Sequence, residues 1–180
     1  LRLSVPASFT LMGGYYLIQP LSEEMSLRAD IRMTPLFTVA SLLVLTVCNP
    51  LYTAMSSVLP LAAVQPVLHR SFSLVLLLFV AAFAVYQRPL PLALSFAVFL
   101  SAFAPFLMST FWVRMAHLHT QREAQRVYGV ISAGAQSGEL IASVAAAALF
   151  SSLRESTLLI TALLVELSVC IIVRRAAVAP

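Results

Sequence analysis

The sequence is poor in charged residues and contains no lysine. Charged side chains make up 10% of the 180 residues and hydrophobic ones 61%, whereas soluble domains are about one quarter charged. A chain of this size has too little interior to bury so much apolar surface, so part of it must lie in lipid. The eleven basic residues are all arginines at the ends of apolar runs, which fits lipid headgroups and membrane topology better than nucleic-acid binding.

Cysteine and recognisable catalytic motifs are also scarce. Cys48 and Cys170 lie inside apolar runs, which indicates small hydrophobic residues and neither a disulfide nor a metal site. His117 and His119 are two residues apart, so they point in different directions on a helix, and no cysteine or acid completes a metal-ligand set. The sequence contains no serine–histidine–acid set, phosphate-binding loop or dinucleotide fingerprint. We therefore expect neither an enzyme nor a bound cofactor.

Six apolar runs are each long enough to cross a bilayer, for which a helix needs about 20 mainly apolar residues. They predict one all-α transmembrane domain over residues 1–180, with spans at about 3–21, 35–59, 71–86, 92–113, 127–150 and 158–173. Asn49-Pro50 is expected to break the second span, and Pro105 to bend the fourth. Residues 60–70 are predicted as a connector whose apolar left half could extend the second span.

The distribution of arginine predicts the orientation. With the N-terminus inside, seven arginines lie on the cytoplasmic side and four on the other. Basic residues favour the cytoplasmic side of short loops. We therefore predict a multi-pass integral membrane protein with both termini in the cytoplasm or the equivalent compartment, and the sequence does not indicate which membrane.

The fifth span carries a stripe of small residues followed by an acid. Gly134, Gly138 and Ala142 recur every four residues, a spacing that lets two helices approach closely in lipid. The stripe could pack against another span of the same chain or against a partner. Glu139 lies near the expected bilayer centre, where an acid costs on the order of 3 kcal/mol to insert. It could serve a polar pathway, or it could bond an adjacent helix, and Glu166 of the sixth span raises the same question.

Three arginines lie between the fourth and fifth spans, at Arg114, Arg122 and Arg126. They could bind phosphate on a substrate or on a lipid. Alternatively, they anchor the helix ends at the membrane interface and pair with nearby acids such as Glu123.

Two segments of the chain resemble one known family. The first is GGYYLIQPLSEEM, from Gly13 to Met25, and the second begins with FW at Phe111 and continues as QREAQRVYGVISAGAQSG. Together they resemble the amino-terminal half of the ATP/ADP translocases of plastids and intracellular bacteria, and bacterial relatives in the major facilitator superfamily. The positions that match the family's pattern are Tyr15, Tyr16, Pro20, Leu21, Glu24, Met25, Phe111, Trp112, Met115, Ala116, Gln125, Arg126, Gly129, Ala133 and Gly134.

The resemblance implies one six-span half of a carrier that works by alternating access, with solute bound between two halves near the bilayer midplane. The family's basic residues in the first segment fall on Gln19 and Ser22 here, and its acid falls on His117. A nucleoside triphosphate needs several cationic donors, so we expect a small or organic anion as cargo, with ATP/ADP-type exchange as an alternative. The residues expected to line the pathway are Gln19, Ser22, Glu23 and Glu139, and those of the cytoplasmic gate are Arg114 and Arg126.

The rival interpretation is a membrane scaffold or subunit that transports nothing and packs against a partner through the fifth helix. The expected partners are the lipid bilayer, a small solute, and a second six-span half or a second copy of the chain. Six related spans encoded downstream would favour the carrier.

Overall fold

The computed structural model describes residues 3–27, 34–86, 89–149 and 154–178, and over these ranges the chain forms helices and no strand. The six helices are α1 (Ser4–Leu27), α2 (Thr34–Val58), α3 (Leu61–Tyr86), α4 (Leu90–Leu118), α5 (Gln121–Leu149) and α6 (Arg154–Val178). Five of them, α2 to α6, are long and apolar enough to cross a membrane. The prediction of an all-α, multi-pass membrane protein is thereby confirmed.

The first predicted span corresponds to α1, which is not one of those five helices. Gly13, Gly14 and Gln19 are weakly apolar or polar residues that interrupt its apolar sequence. However, α1 packs against α4, α5 and α6, and its side chains enter the main hydrophobic core at Leu11 and Ile18. A helix surrounded by other helices touches little lipid, so it does not need the continuous apolar surface of an outer span.

The predicted connector at residues 60–70 is wrong. Helix α3 begins at Leu61, and the Pro60 carbonyl accepts hydrogen bonds from the N–H groups of Ala63, at 2.7 Å, and Val64, at 3.3 Å. Proline lacks an N–H group, and the first turn of a helix is where that loss costs least. Pro60 therefore marks the start of the helix, and the connection between α2 and α3 shrinks to a few residues. Helix α2 continues through Asn49-Pro50, so the proline does not end the helix.

The predicted loop at residues 114–126 is wrong as well. Helix α4 ends at Leu118 and α5 begins at Gln121. The backbone N–H of Thr120 donates to Oε2 of Glu123 at 3.1 Å, the reciprocal bond of a helix-capping box. Apolar length measures how much of a helix can lie in lipid, and both helices extend past that length with polar turns.

The packing of the helices repeats after three helices. The substantial contacts join α1 to α4, α5 and α6, join α4 to α1, α2 and α3, and join α3 to α6, with smaller contacts for α2–α3 and α5–α6. If α1 is exchanged with α4, α2 with α5 and α3 with α6, the same set of contacting pairs results. Each set has an odd number of helices, so helices that alternate in direction would run in opposite senses in the two sets, as they do in proteins built from inverted repeats.

Candidate functional site

A cavity of about 420 Å³ lies between α1, α2 and α4. Its volume falls within the range of about 300–1,000 Å³ that is usual for small-molecule sites. Its polar lining consists of five hydroxyl side chains and one carboxylate, those of Ser22, Ser26, Thr38, Ser41, Ser101 and Glu23. The remaining described lining is apolar, so the cavity offers a small polar solute several hydrogen-bonding groups.

Three of the four predicted pathway residues meet at this cavity or beside it. Ser22 is buried and Glu23 is exposed, and both line the cavity. Gln19, one turn earlier on α1, donates from Nε2 to Oε1 of Glu23 at 2.9 Å. The other amide atom of Gln19, Oε1, is shielded from solvent and accepts no hydrogen bond from a described residue. Gln19 therefore holds one oxygen of a carboxylate that lines the cavity.

The fourth predicted residue, Glu139, lies elsewhere. It is half-buried on α5, and the hydroxyl of Tyr16 on α1 lies within hydrogen-bonding reach of its carboxyl group. It is not among the described residues that line the cavity. Contact with Tyr16 fits the interpretation of an acid that bonds an adjacent helix.

The stripe of small residues on α5 packs against α1 of the same chain. A Cβ atom on Gly134 would lie 2.8 Å from Cγ1 of Val5, and one on Gly138 would collide with the carbonyl oxygen of Phe9. Ala142 is buried beside Leu17, one turn further along both helices. Since α1 covers the stripe, a partner that docks on α5 would have to use another face of that helix.

The predicted gate residues lie at the opposite end of α1 from the cavity. Arg114 is half-buried near the end of α4 and Arg126 is exposed on α5. Between these helices, Nε2 of His119 lies 3.4 Å from the hydroxyl of Ser4 at the start of α1. The helical rise from Ser4 to Ser22 is about 27 Å at about 1.5 Å per residue, close to the thickness of the hydrocarbon core.

Sequence reasoning missed two polar features of α3. Gln65 and His69 are 2% and 0% exposed, one turn apart, within the segment expected to be a connector. Arg70 Nε lies 3.7 Å from Oε2 of Glu166 on α6, which gives that intramembrane acid a partner. The signal in the sequence was the four-residue spacing of Gln65 and His69 inside an apolar run, a spacing that places both on one helix face.

Comparisons of the chain with protein-family models, with curated proteins and with solved structures gave no match.

Proposed function

We propose that this chain is one six-helix half of a secondary transporter that moves a small polar solute by alternating access. The observation that carries the proposal is the packing pattern that repeats after three helices. Inverted repeats are the usual basis of alternating access, because the two repeats can exchange conformations and so open a site to one side and then to the other with similar energy. The complete carrier needs two such halves, and in the experiments below a second copy of this chain supplies the second one.

The cavity between α1, α2 and α4 supports the proposal. In an inverted-repeat half, α1 and α4 are equivalent helices, and both contribute to its lining. Each also carries an internal proline, Pro20 and Pro105, past the midpoint of the helix. Prolines leave helix carbonyls without their usual partner and allow local bending, which suits helices that must move around a site.

The described lining bears on the charge of the cargo. The family resemblance led us to expect an anion, but Glu23 is the charged residue among the described lining residues, and the others are hydroxyl or apolar. A carboxylate repels an anion and attracts a cation, and hydroxyl groups hydrogen-bond either a cation's shell or a sugar-like solute. We therefore propose a hydroxyl-rich or cationic solute first. An organic anion is the second candidate, because half-buried Arg114 could meet it when the other end opens.

Filling the cavity should abolish transport. Ser101 is exposed on the cavity wall of α4, so Ser101→Phe would place a ring where solute should bind. We expect uptake of a transported solute into cells or proteoliposomes to fall by about tenfold or more, equal to about 1.4 kcal/mol of lost binding. Ser109→Phe is the matched control, because Ser109 is exposed on the same helix and outside the described cavity lining.

The same assay, run with a panel of polyols, organic cations and organic anions, separates the candidate cargoes. Glu23→Gln should weaken uptake of a cation and leave or improve uptake of an anion. Accumulation of no solute in the panel, or equal uptake by the Ser101→Phe and Ser109→Phe variants, would contradict the proposal. Gly138→Leu does not separate carrier from scaffold, because it would disturb contact with α1 in either case.

A further inference from the structure

Gln65 and His69 of α3 form a buried polar pair without enough partners. Both are almost completely shielded from solvent, at 2% and 0% exposed. Neither amide atom of the Gln65 side chain has a hydrogen-bond partner among the described residues, and neither does Nε2 of His69. Buried polar groups are nearly always paired with protein or with ordered water. Three buried polar atoms without hydrogen-bond partners, on one helix face, therefore indicate a small bound molecule that pairs with them.

The tautomer of His69 determines which hydrogen-bonding groups the bound molecule must supply. Nδ1 of His69 lies 2.9 Å from the backbone carbonyl oxygen of Gln65. A carbonyl oxygen only accepts hydrogen bonds, so Nδ1 carries the proton and Nε2 of the neutral ring presents a lone pair. The site thus offers two acceptors, Nε2 of His69 and Oε1 of Gln65, and one donor, the Gln65 amide nitrogen. Water supplies two donors and accepts in return, which matches this set.

Residues that follow this pair on α3 line a second cavity. Arg70, Ser73 and Glu166 line a cavity of about 480 Å³ between α3 and α6. Ser73 is buried one turn beyond His69, and its hydroxyl donates to the carbonyl of Ala162 at 3.5 Å. Arg70, the residue after His69, is exposed at the same cavity.

The charged groups on the helices that pack against α3 determine whether a protonated His69 would have a counterion. From α6, the acid that faces α3 is Glu166, which already pairs with Arg70. From α4, the nearest described cation along the helix is Arg114, and described α2 carries no ionisable acid or base other than Cys48 and Tyr52. Among the described residues, a protonated His69 therefore has no carboxylate of its own as a counterion.

We propose that Gln65 and His69 form an internal water site at which His69 exchanges one proton with the aqueous phase. A hydronium ion gives its proton to Nε2 and stays in the site as water, and the reverse transfer releases the proton. The protonated ring then donates from Nε2 to the retained water or to Oε1 of Gln65. Its physiological role, coupling solute movement to a proton gradient, rests on the transport function proposed above.

Nitrogen-15 NMR of histidine-labelled chain in lipid nanodiscs tests the site without any transport assay. The double variant His117→Gln/His119→Gln removes the two other histidines, which lie at the end of α4 and just beyond it, and leaves one ring to observe. At mildly alkaline pH we expect a protonated Nδ1, a bare Nε2 and an exchange signal with water. On acidification, both nitrogens should become protonated reversibly. Adding Gln65→Leu should weaken the water signal.

Two results would overturn the proposal: a ring protonated on Nε2 at alkaline pH, or signals that stay unchanged and water-free at every pH at which the protein remains folded. The coupling role has its own test. In proteoliposomes, an imposed pH gradient should drive uptake by the unmodified chain, and His69→Gln should respond at least tenfold less while still equilibrating solute. Gradient-driven uptake by His69→Gln would remove the coupling role. Lack of uptake by the unmodified chain would count against the proposed transport function, and the NMR result would still decide the proton site.

Discussion

Gly138 of α5 lies against the backbone of α1, and it has no room for a side chain. A Cβ atom there would meet the backbone of Phe9, which cannot rotate away as a side chain could. We expect Gly138→Ala to lower the free energy of unfolding by about 1–3 kcal/mol, the usual cost of overpacking. Equilibrium unfolding in mixed micelles measures this difference.

Gly129→Ala, on the same helix, is the control for that experiment, because a Cβ atom at Gly129 would meet nothing within 4 Å. Alanine is the better helix former, so this change should be neutral or stabilising by about 0.5–1 kcal/mol. Equal destabilisation by both substitutions would show that α5 does not pack on α1 through Gly138.

Thr161 makes a buried hydrogen bond between two helices. Its hydroxyl donates to the carbonyl of Gly14 at 3.1 Å, and the residue is fully buried between α6 and α1. Thr161→Val removes the donor and keeps the shape, so we expect a loss of about 0.6–1.7 kcal/mol in the free energy of unfolding. Thr46→Val is the matched control, since that exposed hydroxyl bonds only to its own helix, at Leu42. A loss as large in the control would mean that the inter-helix bond contributes nothing specific.

For individual residues, the sequence is informative where the spacing of residue types alone indicates a contact. Glycines spaced four apart in an apolar run mark a close helix contact, and Gly134 and Gly138 do lie against α1. The sequence could not say that Glu139 would lie beside Tyr16, because that contact depends on how two helices rotate about their axes. Gln65 and His69 were missed because Pro60 and Pro66 made their segment look like a connector.

The ends of the helices depend on local chemistry that hydropathy does not measure. Glu123 is polar and lies outside the apolar part of α5, yet it organises the first turn of that helix by accepting from the N–H of Thr120. We expect Glu123→Ala to lower the free energy of unfolding by about 0.5–2 kcal/mol, the usual cost of losing a cap. Gln125→Ala, an exposed position on the same helix, should change it by less than about 0.5 kcal/mol. Identical unfolding curves for the two variants would argue against the cap.

Helix α1 shows how an element can be important and still be a weak candidate in a hydropathy scan. Its glycines and polar residues reduce its apolarity, and the same residues allow close contact with α5 and α6 and form one wall of the cavity. Composition identifies a membrane span by the apolar side chains that would contact lipid. It therefore recognises outer helices such as α2 more readily than a central one.

For the whole molecule, composition was sufficient to predict an all-α membrane protein, because no other solvent accommodates so much apolar surface. The order in which the helices pack could not be predicted in the same way. Lipid tails are as apolar as a protein core, so side-chain hydrophobicity does not tell a helix which face meets protein. The repeat of the packing pattern became visible only in three dimensions.

Equivalent helix pairs in the repeated pattern differ in how closely they pack, and the cavity lies beside the more loosely packed pair. Helices α1 and α5 form the most extensive contact, whereas the equivalent pair, α4 and α2, packs much less closely. The cavity opens beside that loose pair, with Thr38 and Ser41 of α2 facing Ser101 of α4. In the account proposed here, movement of α2 against α4 changes access to the solute.

The most direct test of this account is the accessibility of Ser101 from the two sides of the membrane, which requires no knowledge of the solute. Both native cysteines are free thiols, so Ser101→Cys would be made in a background with Cys48→Ser and Cys170→Ser. A membrane-impermeant maleimide is then applied to right-side-out and inside-out vesicles from cells that express the chain. Alternating access predicts labelling of the new cysteine from both sides, at rates that change when a transported solute is present. Labelling from one side alone, whatever solute is added, would contradict the proposal that this protein is a transporter.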